Sequence, residues 1–133
     1  MDEDTHEQLL ARAKVADLTA SQLVNRYVKE SLRMDEHPGI GFVNTSNGRR
    51  AVLAARPRIQ VIDLIATWLG QRQDVAETAR YFELSEDDIK AAVRYYAAFK
   101  SELDEVIRQH RDAQANFEQV LARRRTRARR ATA

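Results

Sequence analysis

The chain has 133 residues, no cysteine and a formal net charge of +2. That length suits one ordinary domain or two very small ones, and without thiols neither a disulfide framework nor a thiolate zinc site can form. No stretch approaches the roughly 18 consecutive apolar residues of a membrane span. Met1-Asp2-Glu3-Asp4 is acidic where a secretory leader would be basic and then apolar, so the expectation is a cytoplasmic protein with no membrane association.

The small net charge hides a strong segregation. Residues 1–36 hold eight acidic and five basic side chains, and 37–73 hold five arginines against Asp63 alone. Residues 74–105 carry nine acids against four bases, whereas 106–133 carry eight arginines against Asp112 and Glu118. Six of those arginines lie between 123 and 130. A run of this kind has no means of burying itself, so it is expected to be disordered or held by something negative.

In chain order, Asp4 or Thr5 can cap a first helix ending near Ala16, with Leu9, Leu10, Ala13 and Ala16 on one face. Thr19-Ala20-Ser21-Gln22 has capping-box spacing and opens a second helix to about Met34, with Leu23, Val24, Tyr27, Val28 and Leu32 on one side. Two short helices bury too little to stand alone. A second copy of the chain is the simplest cover, and Leu9, Leu23, Tyr27, Val28 and Leu32 are the expected dimerisation residues.

His37-Pro38-Gly39 ends that helix, because proline disfavours helical geometry in the residue before it. Two alternating runs follow, 40–44 and 50–53, joined through Thr45-Ser46-Asn47-Gly48, whose Asn-Gly is a strong hairpin signal. Pro57 precedes a helix over 60–69 with Val61, Leu64, Ile65 and Trp68 facing inward. Asp74 caps a short helix to about Tyr81. Ser85 caps a long one bearing Ile89, Val93, Tyr96, Ala97, Phe99, Leu103, Val106 and Ile107. The tight turn at Leu84 makes a helix-turn-helix of this pair. With no Gly or Pro after Gly70, the last helix is expected to run unbroken to about Leu121, with Phe117, Val120 and Leu121 as an isolated apolar patch. The fold class is therefore mainly α, with one β-hairpin. It divides into a helical pair (1–36), a hairpin with helix-turn-helix (37–107) and a helical extension with an arginine-rich tail (108–133).

No catalytic or cofactor chemistry is expected. His6, His37 and His110 fall on separate elements without metal-ligand spacing. Glu86-Asp87-Asp88 occupies a first helical turn, where the macrodipole favours acids, and Gly39-Ile40-Gly41 precedes a strand rather than the helix a phosphate loop needs. The same three acids would oppose phosphate at a major-groove recognition helix. Arg49, Arg50, Arg56 and Arg58 form a better phosphate surface, although neighbours on a strand point to opposite faces. Arg129 and Arg130 at the tail are further expected DNA contacts.

Two stretches carry a family resemblance. Residues 2–34, through Asp2-Glu3-Asp4-Thr5-His6-Glu7 and the turn Leu18-Thr19-Ala20-Ser21, resemble the two helices of a ribbon-helix-helix antitoxin or repressor, with the preceding strand missing. Met34-Asp35-Glu36-His37-Pro38-Gly39-Ile40, Gly48-Arg49-Arg50-Ala51 and Tyr95-Tyr96-Ala97 resemble a helix-turn-helix family numbered 433 among domains of unknown function. That family is associated with VapB-type antitoxins encoded beside PIN-fold ribonuclease toxins. The resemblance implies an antitoxin that neutralises such a toxin through its C-terminal region and autoregulates its operon by binding operator DNA. Phe117, Val120 and Leu121 would anchor on the toxin, while Arg123, Arg124, Arg125 and Arg127 would meet its acidic pocket. The alternatives are a stand-alone DNA-binding transcriptional regulator and an assembly module that only dimerises.

Overall fold

The structure is a computed structural model describing residues 1–132. The chain forms two compact units, Met1–Arg58 and a second from Ile59 onward. The hairpin thus belongs with the N-terminal helices, whereas the sequence grouped it with the helix-turn-helix.

In the first unit, α1 (Glu3–Ala16) is capped by Asp2 rather than by Asp4 or Thr5, its carboxylate accepting a hydrogen bond from the Thr5 amide at 2.7 Å. It ends at Asp17, which adopts left-handed geometry and donates its N–H to the Ala13 and Lys14 carbonyls. The capping box opens α2 (Ala20–Glu36) as expected: Gln22 N–H donates to Thr19 Oγ1 and Thr19 N–H to Gln22 Oε1, at 3.1 and 2.9 Å.

The chain then turns at Gly39, with φ +94°, into β1 (Ile40–Thr45) and β2 (Gly48–Leu53), an antiparallel pair in register from Ile40–Leu53 to Thr45–Gly48. The turn itself is Ser46-Asn47, and Gly48 takes the positive φ, +103°. A third strand, β3 (Arg56–Gln60), completes a sheet of order β1-β2-β3. The sequence assigned Pro57 to the approach to a helix. Here it sits on the outer strand, where proline is tolerated. The boundary between units falls inside β3. Ala13, Leu23, Ile40, Val52 and Leu53 are the buried apolar residues of the first unit.

Past the end of β3 the second unit is helical: α3 (Val61–Gly70), α4 (Val75–Phe82), α5 (Glu86–Ala98) and α6 (Lys100–Thr132). Asp74 caps α4 through the Glu77 amide at 3.0 Å, and Ser85 caps α5 through Asp88 at 3.2 Å. Between them Glu83 is left-handed and the Leu84 amide reaches back to the Ala79 carbonyl, giving the tight connection expected of a helix-turn-helix. Val61, Leu64, Ile65, Ile89 and Ala92 are fully buried, with Tyr95 beside them in the core and Trp68 edge-on to Tyr96.

Two sequence expectations need correction here. The last helix does not run unbroken: Phe99, at φ −128° and ψ +38°, separates α5 from α6 while its N–H still donates to the Tyr95 and Tyr96 carbonyls. The arginine tail is also not irregular, since α6 continues through it to Thr132. Ala, Arg and Gln are strong helix formers, and no Gly or Pro interrupts them. Among the described residues no helix is long and apolar enough to cross a membrane.

Candidate interaction site

At 33 residues α6 is about 50 Å long, given ~1.5 Å per residue. Among the described residues its buried side chains are Leu103 and Ile107, both in its first turns. The start of the helix is fixed by a three-residue cluster across the Phe99 break. Tyr96 Oη donates to Asp104 Oδ1 at 2.5 Å, Lys100 Nζ donates to Asp104 Oδ2 at 2.7 Å, and the Lys100 ammonium lies 5.7 Å from the Tyr96 ring centroid. The Lys100 and Tyr96 hydrogen bonds hold the Asp104 carboxyl below its ordinary range. Burial, seconded by the bond to Asp104, pushes the Tyr96 hydroxyl up. The cluster makes no use of the helix-turn-helix acids, and the sequence reading did not single it out.

Leu103, Val106, His110, Ala113, Phe117 and Val120 recur at alternating spacings of three and four, so they share one stripe of α6. The stripe begins in the core and then emerges: Phe117 is 62 % exposed and Val120 45 %, with Leu121 half-buried. Where it leaves the core, Asp63, Thr67, His110, Arg111 and Gln114 line a groove of about 380 Å³ between α3 and α6. Arg108 is neutralised locally, bound to Glu105 and, at 3.2 Å, to Asp112. Beyond Glu118 there is no further acid, and Arg123, Arg124, Arg125, Arg127, Arg129 and Arg130 are all exposed. An apolar stripe leading into a strong positive charge suits a negatively charged partner that buries the stripe.

The expected dimer residues divide. Tyr27, Val28 and Leu32 are exposed on α2, and Tyr27 and Val28 line an apolar groove of about 710 Å³ with Leu9, Val15 and Val24. Leu23 corrects the expectation: it is completely buried within the chain and has no surface to offer a second copy. It lies seven residues from Glu30, on the inward face of α2, where Glu30 is also buried.

That carboxylate determines the state of the basic band. Arg49 donates from Nε to Glu30 Oε2 at 3.0 Å and from Nη2 to Glu30 Oε1 at 2.7 Å, with Nη1 on Asn44 Oδ1 at 3.3 Å. The Glu30 hydrogen bonds raise the Arg49 guanidinium above its ordinary value. Arg49 therefore binds within the fold rather than offering a fork to phosphate. Arg50 is half-buried and donates from Nη1 to the Arg49 carbonyl, while Arg56 and Arg58 are exposed. A sequence signal for the pair did exist, since Glu30 follows Leu23 by two helical turns, but nothing local links it to Arg49. No protein-family model, curated protein or solved structure matches the chain.

Proposed function

We propose that the chain is the antitoxin of a toxin–antitoxin pair, acting in the cytoplasm and neutralising a PIN-fold ribonuclease through α6. The observation that carries this reading is the apolar stripe of exposed Phe117 and Val120 with half-buried Leu121, on a helix whose outer half has no buried side chain among the described residues. Solvent-exposed aromatic and aliphatic side chains in a row are a docking feature. Arg124 continues the stripe at the next helical step, where it would meet the carboxylates with which such a nuclease holds its metal. The chain would pair with a second copy through the α1–α2 face, burying Tyr27, Val28 and Leu32.

Co-expression with the ribonuclease encoded beside it tests the reading. The full chain should restore growth and co-purify with the nuclease, and a chain ending at Ile107 should do neither. Neutralisation by the shortened chain would refute it. A stand-alone DNA-binding regulator is less well supported, because α5 presents Glu86 and Asp87 exposed at its N-terminal turn and Arg49 is bound to Glu30.

A further inference from the structure

The arginines at the end of α6 are not confined to the face that carries Phe117. At about 100° per residue, Arg124 follows Phe117 within about 20°, and Arg127 lies about 80° to one side. On that same side, Arg123 and Arg130 lie about 120° and about 140° away. Arg125 and Arg129 lie about 80° and about 120° away on the other. The charge therefore encircles the helix. The residues between are small: Ala122, Thr126, Ala128 and Ala131. Thr126 folds its hydroxyl back onto the Ala122 carbonyl at 3.0 Å, so the spaces between the arginines stay slim.

A ring of charge calls for a ligand with negative walls on opposite sides. A single protein face or a flat anionic bilayer touches one side of a helix, and a bilayer also demands an apolar face, which 123–130 lacks. The major groove of B-form DNA is about 12 Å wide, admits an α-helix and is bordered by phosphates on both edges. Residues 123–130 form about two turns, roughly 12 Å of helix with a diameter of about 10–12 Å. We infer that the tip of α6, residues 123–130, is a duplex-DNA element that enters the major groove and contacts the phosphates of both walls. Arg123 and Arg130 serve one wall, Arg125 and Arg129 the other. Arg124, the one tip residue assigned above to the nuclease, is not among the four wall contacts, so the inference does not rest on that reading.

Such binding has an internal consequence. Arg123 and Arg127, and Arg125 and Arg129, are like charges four residues apart, which weakens an isolated helix. Phosphates on both sides remove that repulsion, so DNA should raise the helix content of the chain. The bases are not read by this arrangement, because phosphate contacts position a protein without specifying sequence.

The test is fluorescence anisotropy of the full chain with an arbitrary DNA duplex about two turns long, and with an RNA duplex of the same sequence. DNA affinity should fall about 100-fold as salt rises from about 50 to about 200 mM, as expected for four or more phosphate contacts. The paired variants Arg123→Ala/Arg130→Ala and Arg125→Ala/Arg129→Ala should each reduce the log–log salt slope by about 2. RNA should bind at least about tenfold more weakly, because the A-form major groove is too narrow to read. Circular dichroism should show helix gained on adding DNA. A chain ending at Ala122, which leaves every buried residue in place, should lose the salt dependence. The inference is overturned if only one arginine pair matters, as in docking on a single face. It is equally overturned if RNA or vesicles containing phosphatidylserine bind as tightly as DNA, or if the shortened chain keeps the slope.

Discussion

Glu30 and Arg49 form a two-pronged ion pair at 2.7 and 3.0 Å that ties α2 to β2 within the first unit. Glu30 is almost fully buried, whereas the Arg49 side chain keeps 29 % exposure. Removing the arginine leaves a buried carboxylate without its partner, and that desolvation dominates. Arg49→Ala should destabilise the protein by about 2 kcal/mol, discounted for the solvent still reaching the guanidinium. Arg49→Lys should recover only part of this, because an ammonium lacks the planar fork. The double variant Glu30→Met/Arg49→Met should be more stable than Arg49→Ala in urea denaturation. An Arg49→Ala protein as stable as the parent would show the pair to be energetically silent.

The Tyr96–Asp104–Lys100 cluster makes the second unit sensitive to pH at both extremes. Asp104 titrates below the ordinary carboxylate value of 3.8 in the folded chain. Its contribution is therefore present above that value and lost as pH falls through the lower folded one. Tyr96 titrates above the ordinary 10.0, so its contribution is present below that value and lost as pH rises through the higher folded one. Thermal melts of Asp104→Asn should lie below those of the parent at pH 7 and converge with them in strong acid. A gap that persisted unchanged through the acid range would remove Asp104 from this role.

Phe117 and Val120 are exposed, so their truncation costs the fold little. Phe117→Ala/Val120→Ala should leave the melting temperature within about 1 °C of the parent. The same variant should weaken binding to the proposed ribonuclease partner by about 30-fold or more, the effect of losing a central apolar anchor worth at least about 2 kcal/mol. Titration calorimetry reads the second effect and differential scanning calorimetry the first. A large drop in stability would place these side chains in a packed core instead.

Self-association through α1 and α2 makes a separate prediction. If the chain pairs as proposed, the parent should sediment as a dimer and Val28→Glu/Leu32→Glu as a monomer with unchanged helix content. The glutamates replace side chains that are 53 % and 58 % exposed in the single chain, so a folded monomer is the expected product. A dimer unaffected by both charges would move the interface elsewhere.

Most of the secondary structure is legible from local chemistry. The Thr19–Gln22 box, the Asp74 and Ser85 caps and the hairpin all depend on residues within four of one another, and each appears where those residues stand. Features set at longer range were not legible. Pro57 lies in β3 because an outer strand tolerates it, which requires knowing the sheet. The break at Phe99 has no Gly or Pro to announce it; there the buried Tyr95 and Tyr96 give way to Leu103 and Ile107. The candidate site was legible in part: Phe117, Val120 and the arginines are exposed where the sequence placed them. Leu23 and Arg49 were misjudged because burial of one and pairing of the other follow from tertiary packing, which composition does not carry.

Among the described residues the outer half of α6 has no buried side chain, and that sets its vulnerability to cleavage. A helical segment without tertiary contacts opens at almost no free-energy cost, and trypsin cuts after arginine. Brief digestion of the free chain should therefore strip the end of α6 and stop near the turns anchored by Leu103 and Ile107, leaving the buried residues of both units in place. Anything that occupies the stripe or the arginine ring closes the cleavage sites. The length of the surviving fragment thus becomes a footprint of whatever the helix has bound.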